Sequence, residues 1–551
     1  VSDTVLGRRT FLKGAMGAAA LAASGGLLSA CTSGSSNSSA TSSSGGAFGG
    51  TPKRGGTLRF ATWSEIDGMD PSFSRWDQTG YAYARTVYDP LAVYDTNGKV
   101  VPYLLRSITP TPDFTQWTLG LRPNVSFHDG APLDAAAVVT FFEKMVTSPL
   151  TGFVLSPVAT VSATDPMTVS VRLKQPWASF SANLADGQLA YPPSPNFWNN
   201  PQRALQPVGT GPFVFKEWVH NDHFTATRNP RYWRSGLPYL DTITFRPITD
   251  TTSEENTLKA NNVDAMFGGT NQQILDFRNN PDYFYFDDSN PSVATYNPTS
   301  SFLMVNCAKP PLDDVRLRRA MAAAIDQKKL IAVAYNGVGA PINGPFPSNS
   351  AYYQPDTGYP AYNPAMARQL VDQVKHDKGN FTINLATVPN PPDVATIQVV
   401  QAMWRQVGID SQIGQVEQST FITNALMGNY DVYTFLLFGG LDFDEYYPFL
   451  NPANAVPTGQ LALNFTRFKD PQLQAALDQG RVSADPATRA AAYKTVARSL
   501  GAGCPYLWVT RVYGSTISHK TVHNLAGVTS PEGVAGFRQG GLMYPVEMWM
   551  G

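Results

Sequence analysis

Apolar and polar positions change rhythm repeatedly along this chain, from a period of two to the wider spacing of helices. Thr57 to Thr62 alternates, as do Trp117 to Leu121 and Thr168 to Leu173, and each run predicts a strand. Between the last two, Asp134 is placed to N-cap a helix carrying Val138, Phe141, Phe142 and Met145 on one stripe. Further on, Asp393 can cap a helix with Ile397, Val400, Trp404 and Val407 inward, stopped by Gly408. Asp485-Pro486 opens another, with Tyr493, Val496 and Leu500 in register. Strands and helices mix without strict alternation, and no internal repeat emerges. The class predicted is α/β.

The apolar stretch from Gly14 to Leu28 is Ala- and Gly-rich and shorter than the roughly 20 residues of a spanning helix. Arg8-Arg9-Thr10-Phe11-Leu12-Lys13 precedes it and reads as a twin-arginine export signal, although Gly7 stands where Ser or Thr is usual. Leu28-Ser29-Ala30-Cys31 resembles a lipobox. The expectation is a signal peptide over 1–30, lipidation at Cys31 and a flexible Ser/Gly tether over 31–50. A random coil of that length holds the folded body about 25 Å from the lipid. The address predicted is the outer face of the cytoplasmic membrane. An ordinary secretory signal with a chance Arg pair would change the export route and not the address.

Composition narrows the class. Lys and Arg (41) nearly balance Asp and Glu (42), which argues against a nucleic-acid binder. A chain of 551 residues exceeds what one core supports, so two or three domains are expected. Beyond Cys31, Cys307 and Cys504 are expected as buried thiols, with a disulfide as the alternative. His128-Asp129-Gly130 reads as a turn and not a catalytic pair. Gly209-Thr210-Gly211-Pro212 lacks the Lys-Ser/Thr of a phosphate loop, and His220-Asn221-Asp222-His223 reads as a hairpin tip and not a metal site. Arg316, Arg318 and Arg319 are expected on a solvated or ion-paired helix face near Asp313 and Asp314. Neither Gly-x-Ser-x-Gly nor His-Glu-x-x-His occurs. Carboxylate-pair glycosidases carry no universal local signature, so an extracellular hydrolase stays open as the alternative from another class.

The segment Leu121 to Leu133, with Arg122-Pro123-Asn124-Val125-Ser126-Phe127-His128-Asp129-Gly130, resembles the signature of the family-5 solute-binding proteins of ABC importers. Pro207 to Phe213, then Trp218, then Arg228-Asn229-Pro230-Arg231-Tyr232-Trp233, is similar to the family's second block. Val305-Asn306, Pro311 to Ala320, and Ala324-Ile325-Asp326 match a third, and Gly428-Asn429-Tyr430-Asp431 and Pro505 to Trp508 fit the same plan. The resemblance implies two α/β lobes of the periplasmic-binding-protein type joined by a hinge, with an extra domain inserted in the first. Lobe I would comprise 51–95, 207–300 and 511–551, the inserted domain 96–206, and lobe II 301–510. It further implies a monomer that encloses a peptide or small molecule and delivers it to the importer's membrane subunits, with no catalysis and no cofactor.

The same resemblance points to Phe438-Gly439-Gly440-Leu441-Asp442-Phe443-Asp444-Glu445-Tyr446-Tyr447-Pro448-Phe449-Leu450. In peptide-binding members a corresponding Asp holds the ligand's α-ammonium group, and Asp442, Phe443, Glu445, Phe449 and Leu450 keep the offsets of that pattern. Two features depart from it: Phe438-Gly439 is displaced by one, and no Arg lies between Tyr430-Asp431 and Asp442 to read a peptide carboxylate. The ligand contacts expected are Asp442, Phe438, Phe443, Trp63 and Trp404. An oligosaccharide is the rival within the family, with Trp63, Trp76, Trp404 and Trp508 as candidate stacking platforms.

Overall fold

The computed structural model describes residues 50–149, 151–287, 299–437, 440–536 and 541–551. The signal segment, Cys31, the tether up to residue 49 and Phe438 lie outside the described residues.

Three sheets organise the body. The first has seven strands in the order Tyr283–Asp287, Ser515–His519, Ala265–Gly268, Thr57–Thr62, Thr242–Pro247, His223–Arg228 and Phe213–Val219. Thr57–Thr62 sits at its centre, parallel to both neighbours, with Thr57 opposite Thr242 and Phe60 opposite Ala265. The second has five strands in the order Asp410–Gln415, Thr382–Thr387, Val432–Leu437, Ser300–Val305 and Tyr506–Arg511. Ser300–Val305 and Tyr506–Arg511 are buried along their whole length, as strands covered on both faces must be. The third is an antiparallel four-stranded sheet, Leu105–Pro110, Gln116–Leu121, Thr168–Leu173 and Val158–Asp165, built from one stretch of chain between the first and later strands of sheet one. Its core packs Trp117, Leu119, Val169 and Val171 against Val138, Phe141, Phe142 and Met145 of the helix Ala135–Val146. Val512-Tyr513-Gly514 carries the chain from the second sheet back to the first, and Val512 N donates to Thr299 O (3.2 Å).

The caps show where local chemistry decides. Asp134 accepts from Ala137 N (2.8 Å), and Asp485 accepts from Thr488 N (2.8 Å) ahead of Pro486–Gly503. The helix expected from Asp393 starts earlier, as Pro391–Gln406 with Asn390 at its cap position, because prolines at the first helical positions need no donor. Asp393 therefore sits in its first turn and not at its cap. Glycines 209 and 211 meet the end of the helix Gln78–Val87: a Cβ on either would come within 2.2–2.5 Å of Val87 backbone atoms. That close approach, and not phosphate binding, is their structural use. His220 to His223 turns between two antiparallel strands, with Asn221 at φ 59.

One expectation on the surface is corrected. Arg318 is buried and donates to the carbonyls of Gly503, Leu312 and Asp313, while Arg316 pairs with Asp314 and Asp377 as a surface residue would. Cys307 and Cys504 are free thiols, and burial pushes Cys307 up to about 11. No described helix is long and apolar enough to cross a membrane.

Candidate functional site

A cavity of about 1040 Å³ opens where the three sheet-based regions meet. The first sheet and its helices contribute Trp63, Tyr81, Arg85, Glu254, Gly269 and Tyr544; the four-stranded region and its following turns add Tyr94 and Asp186; the second-sheet region adds Asn390, Pro391, Leu436 and Leu441. Thr299 and Val512-Tyr513-Gly514 line it where the chain crosses between sheets.

Arg85 is its cationic wall. The helix Gln78–Val87 is capped by Asp77, which accepts from Gly80 N (3.0 Å), and its spacing sets Tyr81 and Arg85 one turn apart on one face. Arg85 is 7% exposed. Its guanidinium lies over Tyr81 (5.5 Å to the ring centre) and Tyr544 (4.6 Å), and Nε donates to Tyr191 Oη (3.0 Å). No carboxylate among the described residues lies within ion-pair distance of it.

Acidic groups gather on the other side. Asp186 lines the cavity and accepts from Gly187 N (2.8 Å). Behind Leu441 stand Asp442 and Glu445, and burial together with the neighbouring Asp186 and Asp442 holds the Glu445 carboxyl well above the usual range. Burial raises Asp186 and Asp442 as well. Glu445 Oε1 is buried with no hydrogen-bond partner, and so is the hydroxyl of Tyr94 beside it. A Cβ on Gly440 would come within 1.9 Å of Glu445 Oε2, so glycine there leaves room for that carboxyl. On another wall, buried Glu254 accepts from Gln273 Nε2 (3.1 Å) through one oxygen and has no partner for the other. Burial pushes its carboxyl up to about 8.

Of the residues singled out from the sequence, Trp63 lines the cavity, packed against Gly269 and Phe267. Asp442 does not line it. One oxygen accepts from Arg489 Nη2 (2.7 Å) and from Asp444 N (2.9 Å), so it caps a short turn of helix over Phe443–Tyr446. Trp404 is corrected to a core residue: it is fully buried among Ile397, Val400 and Val407, with Nε1 donating to Met321 O (3.1 Å). Phe443 is likewise core, packed on Phe346 (4.5 Å) and Tyr493 (5.1 Å). Trp76 and Trp508 are buried too, which removes three of the four tryptophans proposed as sugar platforms. Arg85, Asp186, Tyr94, Glu254 and Tyr544 were not foreseen. The spacing of Tyr81 and Arg85 was the one local signal available, since Tyr191 lies 106 residues away from Arg85.

A two-lobed cleft closed over by a third region, with aromatic and charged walls, invites comparison with known proteins. A family model for bacterial extracellular solute-binding proteins, family 5 (middle), matches residues 99–456. The chain belongs to this family. The glutathione-binding protein GsiB of Pectobacterium atrosepticum is 28% identical to it over 359 residues, covering 64% of this chain and 68% of the relative. The ABC transporter-associated periplasmic binding protein DppA of Helicobacter pylori, solved in complex with peptide STSA, aligns with a TM-score of 0.76 at 22% identity, over 90% of this chain and 98% of that one. The binding protein AgaA of A. tumefaciens R10, solved in complex with agropinic acid, aligns with a TM-score of 0.75 at 23% identity, over 85% and 94%. The shared two-lobed fold follows from these alignments. Family-5 proteins are extracytoplasmic substrate-binding components of ABC importers that bind peptides or other solutes, and this chain is such a component.

Proposed function

We propose that this family-5 receptor encloses a peptide or another amine-bearing solute in the cavity between its lobes and hands it to the membrane subunits of an ABC importer. One observation carries the choice of an amine: Asp186 lines the cavity with Asp442 and Glu445 behind Leu441 at its wall, and a buried Glu445 oxygen and the Tyr94 hydroxyl are left without partners. A buried acid without a partner is costly, and an ammonium group offers both charge and donors to it. Arg489 already engages one oxygen of Asp442, so Asp186 and Glu445 take the leading part and Asp442 a supporting one. The oligosaccharide reading has less to stand on, because Trp63 alone of its four tryptophans faces the cavity. Native mass spectrometry of the purified protein tests the proposal. The expected result is a small adduct whose released form reacts with an amine-acylating reagent; an adduct without any amine sinks it.

The address belongs to the same proposal. Arg8-Arg9, Leu28-Ser29-Ala30-Cys31 and the Ser/Gly stretch support a twin-arginine lipoprotein anchored through Cys31. Cys31→Ala is expected to leave the membrane fraction or to stay unprocessed. A variant that fractionates and migrates like the parent refutes the anchor.

A further inference from the structure

We propose that Arg85 forms an anion subsite of the cavity, a clamp for a carboxylate on the enclosed solute. The inference rests on the cavity being the ligand site and adds a second, oppositely charged end to the amine-bearing solute. The loop around Asp442 holds no Arg before it, and Arg489 is engaged by Asp442, so the second-sheet side offers no free guanidinium there. The first-sheet side does. Arg85 is nine-tenths buried, yet its hydrogen-bond partners are phenols: Nε donates to the Tyr191 hydroxyl (3.0 Å), and the Tyr544 hydroxyl is close by. Its Nη atoms meet no carboxylate or carbonyl among the described residues, and the residue lines the cavity wall.

The geometry suits a planar oxyanion. Tyr81 and Tyr544 flank the guanidinium within 5.5 and 4.6 Å, and Tyr191 fixes Nε. The terminal N–H groups are left as a fork that matches two carboxylate oxygens. A lone buried cation without an acid is as costly as a lone acid, and a ligand carboxylate resolves it. Phenol rings supply attraction through their faces but no negative charge, so the cage orients the cation without neutralising it. Asp186 acts on Arg85 through space and not through contact. The solute expected is therefore zwitterionic, with its amine toward Asp186 and Glu445 and its carboxylate at Arg85.

The test uses a tripeptide library in three arms: free peptides, C-terminal amides and N-acetylated peptides, screened by native mass spectrometry and measured by calorimetry on the full chain. The amides are expected to bind the parent roughly ten- to a hundredfold more weakly than the free acids. Arg85→Gln should weaken the free acids by a similar factor and abolish the difference between acid and amide. Arg85→Lys should restore part of it, because an ammonium keeps the charge and loses the fork. Amides that bind the parent within twofold of the acids overturn the proposal without any variant. If instead the N-acetylated arm binds as well as the free arm while the amides fail, the carboxylate clamp stands and the amine reading falls. Silence in all three arms at millimolar concentration overturns both. Inorganic phosphate or sulfate displacing the free acids would show a general oxyanion pocket and would also overturn the carboxylate assignment.

Discussion

Two arginines of this receptor sit in nearly the same kind of aromatic cage and do different work. Arg481 lies over Tyr447 (3.5 Å) and Trp177 (4.9 Å) and is 5% exposed; Arg85 lies over Tyr544 and Tyr81 and is 7% exposed. Arg481 has an acid inside its cage: Nε donates to Asp444 (2.9 Å), and Asp444 also accepts from Trp177 Nε1 (2.6 Å). Since Trp177 belongs to the four-stranded region, that closed network ties it to the second-sheet region, helped by Ala178 N donating to Arg481 O (2.9 Å). Arg85 has only phenols. A cage completed by the protein's own carboxylate is a structural joint; a cage left incomplete faces the cavity and waits for one from outside.

Breaking the closed cage has the largest expected effect. Asp444→Ala leaves Arg481 charged and buried with no acid and leaves the Trp177 indole N–H with the Ser179 hydroxyl alone (3.1 Å), so stability should fall by about 3–5 kcal/mol. Arg85→Met, which removes a cation that no protein acid neutralises, should change the stability of the ligand-free protein by less than about 1 kcal/mol, because an apolar replacement of similar volume also ends the desolvation penalty. Urea unfolding of the two variants reads the contrast directly. Equal losses would show that both arginines are structural.

Glu254 extends the same rule to an acid and has a pH signature. Its folded value of about 8 lies above the ordinary glutamate range, so between about 4.5 and 8 the folded state holds a proton that the unfolded state has released. The stability it contributes is fully present below that range and is lost as pH rises through about 8, at up to about 1.4 kcal/mol per pH unit. Glu254→Gln should flatten this part of the stability–pH curve. A curve unchanged by the substitution would place the carboxyl in water.

Local chemistry was legible in the sequence and long-range assembly was not. Asp134 and Asp485 cap their helices because a carboxylate next to the first turn needs nothing from the rest of the chain. Trp63 and Trp404 look alike in sequence, but one faces the cavity and the other fills a core, since that choice depends on which helix covers which sheet face. The burial of Arg318 was illegible for the same reason: its carbonyl partner Gly503 is 185 residues away. Asp442 kept the family's spacing, yet Arg489, 47 residues on, engages it. The cavity's charged groups were the least legible part, because Arg85, Asp186 and Glu254 come from separate stretches that only the folded chain brings together.

Proton release on binding tests the central claim most directly. Burial raises the Glu445 and Asp186 carboxyls; an ammonium placed against them favours the carboxylate form and lowers their proton occupancy. Calorimetry of a bound peptide in two buffers of different ionisation enthalpy should show net proton release. The release should shrink in Glu445→Gln and disappear with the N-acetylated peptide, which should also bind at least tenfold more weakly, a difference of about 1.4 kcal/mol. Equal affinity for the two peptides, with no proton exchanged by either, would contradict the amine-binding account.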